Sequence, residues 1–115
     1  MSISGVRPAH VVLAVTIADA IVHYSTAEDV HLVHNKTAYV FGTMVGAPGR
    51  LDAWVELSPD GVNYNILGVV QNIAATGALT FPWITHSSFV RIAVQAPLWA
   101  AGSWVVSVQF EGLST

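Results

Sequence analysis

Residues 51–68 read LDAWVELSPDGVNYNILG. Leu51, Ala53, Val55 and Leu57 alternate with Asp52, Trp54, Glu56 and Ser58, the two-residue period of a half-buried β-strand. The run stops at Ser58-Pro59-Asp60-Gly61. Pro59 fixes φ near −65° at the second position of a turn, Asp60 bonds back to nearby backbone, and Gly61 reaches the positive φ that other residues resist. A return strand then reads from Asn63 to Val70, with Trp54 and Tyr64 expected to meet across the ladder. Pro59, Asp60 and Gly61 are therefore assigned a structural role, pinning the register of two antiparallel strands.

Outward from this hairpin, the apolar residues come in short β-branched runs broken by Gly, Pro, Asn and Ser. No segment holds a helical period for three turns. Strands are expected at His10–Ile17, Asp19–Tyr24, Val30–His34, Thr37–Val45, Ala78–Phe81, Phe89–Gln95 and Ser103–Phe110. Asn35-Lys36 reads as a tight turn, Pro82 as a strand stop, and Gly42 as a bulge or a close approach. About eight strands without intervening helices predict an all-β fold, a single antiparallel β-sandwich of jelly-roll type. Residues 8–115 form that domain. Residues 1–7 lack a strand pattern and read as an N-terminal arm.

The chain has 115 residues, enough for one domain with one core. Hydrophobic residues make up 53% and charged residues only 10%, against about 25% in an average protein. So few charges leave an exterior of small, polar-neutral and apolar side chains, which calls for cover by copies of itself or by a larger assembly. The formal net charge of −3 lacks the basic footprint of a nucleic-acid binder. Cysteine is absent, which excludes disulfides and thiolate metal sites. The long uncharged stretch from Gly61 to Val90 is interrupted by Asn, Gln, Gly and Pro82, so it is not a membrane span. PAHVVLAVTIA, residues 8–18, is read as a strand rather than a signal segment.

The runs WVELSPDGVNYNILG, FPW and SFVRIAVQ resemble a strand–turn–strand element of small β-sandwich virion proteins of tailed bacteriophages, of the capsid-decoration or tail type. Discoidin-like jelly rolls carry a similar element. Ser58, Asp60, Gly61, Asn63 and Tyr64 match its turn, with Tyr64 where Trp is usual. Phe89, Val90, Arg91 and Ile92 match its later strand. The resemblance implies a β-sandwich and a non-enzymatic structural role in a virion.

His31 and His34 form HxxH in VHLVHN, but three-residue spacing on a strand puts them on opposite faces. They are read as surface or interface histidines, with a zinc site the weaker alternative and His10 and His23 as additional donors that no spacing fixes. Histidines at an assembly contact would make it pH-sensitive near neutrality. Glu28-Asp29 reads as a solvated turn, since no Asp-x-Asp spacing supports a calcium cage. Asp52 and Glu56 lie too far apart on an extended strand to act as a catalytic pair. No nucleophile elbow and no phosphate loop is present. Arg91 is expected to pair across the sheet with Glu56 or Asp52.

Trp54, Trp83, Trp99 and Trp104 are many for this length. Trp104 opens an alternating strand and belongs to the core. Trp83, in FPWITHSS, and Leu98 and Trp99, in the uncharged run APLWAAG, sit in loop-like contexts where binding concentrates. The interface candidates are therefore Trp83, Leu98, Trp99, His31 and His34, with no catalytic residue, metal or cofactor. The expected function is a capsid decoration or cement protein without enzymatic activity. Its partners would be copies of itself, a trimer among the options, and a major capsid or tail protein. It would reside in the virion, after assembly in the host cytoplasm. Neither nucleic acid nor membrane is expected as a partner. The alternatives are a tail- or fibre-associated structural protein, and a carbohydrate-binding module using exposed Trp residues.

Overall fold

The structure, a computed structural model, describes residues 6–29, 35–84 and 88–113. Within them lie nine strands: β1 (Val6–Ile17), β2 (His23–Tyr24), β3 (Glu28–Asp29), β4 (Asn35–Val45), β5 (Leu51–Ser58), β6 (Asn65–Ile73), β7 (Gly77–Ile84), β8 (Phe89–Gln95) and β9 (Ser103–Leu113). They form two antiparallel sheets. The first has the order β1-β9-β4-β7, the second β2-β8-β5-β6, with β3 also paired to β8.

This order has a simple origin in the hairpin at Pro59–Gly61. β5 pairs with β6, β4 with β7, β2 with β8 and β1 with β9. The pairs are nested, so the chain is one long hairpin with its tip at that turn. Paired residues such as Leu57 and Asn65, or Ile17 and Trp104, lie about equally far from the tip. Folding the long hairpin over itself then joins β4 to β9 and β5 to β8. The result is the jelly-roll wrap, an all-β antiparallel sandwich.

The core fills the space between the sheets. Trp104, Val106, Val108 and Phe110 point inward from β9 at a period of two, as do Ala38 and Val40 from β4 and Val90, Ile92 and Val94 from β8. Gly42 makes the expected close approach. A Cβ there would lie 3.0 Å from Leu51 and 3.1 Å from the Trp104 ring, so the missing side chain is the space the indole occupies.

Several boundaries depart from the sequence reading. Asn35 and Lys36 are not a turn; they open β4 and pair with Leu113 and Gly112 of β9. Pro82 does not end β7 but sits within it, opposite Thr37. An edge strand has no second neighbour requiring the N–H that proline lacks. β1 begins at Val6, inside the stretch read as an arm, because β9 extends to Leu113 and offers a partner. The second strand shrinks to His23–Tyr24, since Asp19 caps a bend by accepting the Ile21 N–H at 3.1 Å. Glu28–Asp29 is a short strand on β8 rather than a solvated turn. The strand expected at Val30–His34 lies outside the described residues.

Candidate functional site

The outer face of the second sheet shows what the opening hairpin does. β5 is buried almost throughout, on both faces, although its alternation reads as half-buried. Three side chains explain this. Glu56 accepts the Trp54 indole N–H through Oε2 at 2.8 Å, and Arg91 through Oε1, with Nε at 2.9 Å and Nη2 at 2.8 Å. The Arg91 guanidinium is clamped between two rings, its carbon 4.0 Å from the Tyr24 centroid and 3.8 Å from that of Tyr64. Arg91 therefore pairs with Glu56, as the sequence suggests. Asp52 instead takes Arg50, at 2.8 Å. Trp54 and Tyr64 are not ladder partners, because Tyr64 precedes β6 and Trp54 falls at a register shift between β5 and β6. This cluster ties β2, β5, β8 and the turn together, with its charges already matched.

The turn itself is a closed hydrogen-bond unit. Ser58 Oγ accepts the Asp60 and Gly61 N–H groups at 3.2 and 2.8 Å and donates to Asp60 Oδ1 at 2.9 Å. Asp60 accepts from Val62 N, Asn63 N and Asn63 Nδ2 at 2.8–2.9 Å. These donors hold the Asp60 carboxyl far below the usual carboxylate range. Gly61 adopts φ 77°, the left-handed value the turn requires. Pro59, Asp60 and Gly61 thus stand in the structural turn where the sequence reading puts them.

The other end of the sandwich carries the uncharged loop. Trp99 is half-buried against the core, and its indole N–H donates to the Gly102 carbonyl at 2.9 Å. Trp104, fully buried, donates across to the Gly49 carbonyl at 3.0 Å. The Trp99 bond closes the loop at 96–102 on itself, and the Trp104 bond ties the loop at 46–50 to the start of β9. Leu98 is left at the surface, 63% exposed, with Ala47, Ala100 and Ala101 exposed around it.

From this loop end an apolar strip continues down the outer face of the first sheet. Val45 and Val105 are exposed, then Phe41 and Val11. Val105 lies between Thr43 and Thr16, and Ser107 between Phe41 and Ala14. A shallow depression of about 420 Å³ lies there, lined by Ala14, Thr16, Phe41, Thr43, Val105 and Ser107 among others. The Phe41 ring runs nearly parallel to Tyr39, at 6.2 Å between centroids, and Tyr39 donates its hydroxyl to Glu111 at 2.5 Å. From Val105 to Phe41 the face bears no charge among the described residues.

Leu98 and Trp99 therefore stand together at one end of the sandwich, Leu98 outward and Trp99 largely inward. Trp83 lies on β7 opposite Lys36, with its side chain outside what is described. His31 and His34 lie outside the described residues. His23 meets Asp19 at 3.0 Å, and His10 packs edge-on against Phe110 at 6.0 Å. Phe41, Val45 and Val105 were not singled out from sequence. Their alternation is legible in the sequence, but the structure decides that this face turns outward.

No protein-family model and no curated protein matches the chain. Solved structures do. The PBSX exported protein XepA superposes with a TM-score of 0.73 at 9% identity, over 94% of this chain and 37% of XepA. The fold is a shared one. This chain spans little more than a third of XepA, however, so the likeness concerns one part of that protein. PirA superposes with a TM-score of 0.58 at 10% identity, over 91% of this chain and 92% of PirA. A chain of infectious bursal disease virus, Gx strain, does so at 0.54 and 9%, over 92% of this chain and 31% of its own length. At such identities the likeness shows architecture alone, an antiparallel β-sandwich.

Proposed function

We propose that this chain is a non-enzymatic structural protein of a bacteriophage virion, a decoration protein that coats or cements the head. The observation that carries the reading is the uncharged apolar strip from Leu98 through Val45 and Val105 to Phe41. A sheet face of this kind, lacking the charges that keep solvent-facing sheets apart, suits contact with another protein surface. The resemblance of the hairpin element to phage virion proteins supports the same reading, and the fold shared with a PBSX exported protein is compatible with it. Binding would act through many weak apolar contacts multiplied over a symmetric lattice. Its partners would be a major capsid protein and copies of itself, and its location the virion.

The test is gradient sedimentation of particles from the producing host. The chain should travel with the heads in fixed ratio to the major head protein. Phe41→Asp and Val105→Asp should leave the domain folded by circular dichroism and reduce its recovery with particles at least tenfold. Recovery only in the soluble fraction, or with tails alone, would overturn the head assignment. Saturable binding of the isolated domain to a host polysaccharide, with no particle association, would point to a carbohydrate-binding module instead.

A further inference from the structure

The second open edge of the sandwich has a different character from the strip. β6 and β7 are the adjacent free edges of the two sheets, and no other strand among the described residues pairs with the outer side of β6. Natural edge strands carry lysines, inward charges, prolines or bulges that deter pairing. β7 has Pro82. β6, NILGVVQNI, has no charge and no proline, and it exposes Ile66, Val69 and Val70. Val69 is 76% exposed. The one such device on β6 is a bulge at 68–70, where the strand has two more residues than β5 has at Trp54. Beneath it lies an apolar cleft of about 380 Å³ between the sheets, lined by Val55, Leu67, Val69, Gln71, Phe81 and Pro82.

We infer that β6 pairs antiparallel with β6 of a second copy, joining two second sheets into one and closing both clefts. Three features favour a copy of this chain as the occupant. The unmet backbone groups of an edge strand are satisfied by another strand, and self-pairing satisfies both edges at once. The strand is free of charge along its length, so a two-fold arrangement opposes no like charges. The size fits a concentration-dependent pair. β6 runs beside Leu51–Leu57 of β5, about 23 Å, on a molecule 19 Å across its thinnest dimension. Two such edges bury on the order of 900 Å² in total, the scale of a weak, reversible interface. The two-fold axis passes close to Val69, the middle residue of β6. This surface is separate from the apolar strip, and the inference holds whether or not the protein coats a particle.

The test uses the full chain. Light scattering over a concentration series should give a dimer, or a higher oligomer built from dimers, at high micromolar protein, dissociating on dilution. Val69→Lys should at least halve the mass while circular dichroism stays unchanged. Ile21→Lys, an exposed change on the far side of the sandwich, should keep the wild-type mass. Because the chain contains no cysteine, single cysteines placed in turn from Ile66 to Asn72 report the register. Mild oxidation should cross-link the pair best at or beside Val69. A wild-type monomer across the series, an oligomer indifferent to Val69→Lys, or the absence of a cross-linking maximum within β6 would each overturn the inference.

Discussion

Replacing Arg91 by methionine keeps the aliphatic stem and removes the charge. In the native fold the guanidinium makes two bonds to Glu56 Oε1 and is held between the Tyr24 and Tyr64 rings. The side chains of Arg91 and Glu56 are 26% and 11% exposed. Without Arg91 the Glu56 carboxylate keeps one donor, the neutral indole of Trp54. Stranding one member of a buried pair costs about 3–5 kcal/mol, and partial access of water places this site at the low end. Each cation–π contact adds about 0.5–1 kcal/mol at such exposure. These effects overlap, so a loss of about 3–4 kcal/mol is expected, or a melting temperature lower by roughly 10–15 °C for a domain of this size. Urea unfolding of Arg91→Met, Glu56→Gln and the double variant measures the coupling directly. Glu56→Gln keeps an acceptor for Trp54, so a coupling above about 1.5 kcal/mol belongs to the ion pair. A loss below about 1 kcal/mol with coupling near zero would show an ordinary surface pair and refute the reasoning.

Gly102→Ala should be among the most damaging small changes. Its φ is 74°, and the added methyl would run into the Val45 carbonyl oxygen and lie 2.8 Å from Ala47 N; a loss of at least about 3 kcal/mol is expected in urea unfolding. Gly68→Ala has the same φ with nothing within 4 Å of the new methyl, so it should cost only about 1 kcal/mol. Equal costs would mean that the loop end is not closely fitted. The Asp60 carboxyl is held below its ordinary value. The stability it contributes is therefore present above the unfolded-state pKa of about 3.9 and declines as pH falls through it toward the folded value. Asp60→Asn should lower the melting temperature at pH 7 and flatten its dependence on pH below about 4. An unchanged acid slope would show that the turn is held by Ser58 and Gly61 alone.

The sequence by itself determines the all-β class, the Pro59–Gly61 turn and the alternating strand that Trp104 opens toward the core. Each is local or periodic. A turn depends on residues within a few positions, and side-chain alternation reports which face is buried wherever one face meets water. Tertiary structure decides the rest. β5 hides both faces because Arg91, Tyr24 and Tyr64 arrive from other parts of the chain, which no alternation within 51–58 records. Pro82 stays inside a strand because β7 is an edge, and a strand's place in a sheet is a non-local fact. Asn35 and Lys36 become strand because β9 runs far enough to pair with them. Trp99 looks like an exposed anchor in APLWAAG, yet the Gly102 carbonyl and the core draw it inward and leave Leu98 at the surface. The apolar strip and the β6 edge likewise emerge only when nested pairs set distant strands side by side. Exposure is a property of what else lies nearby, and the chain must fold before that is defined.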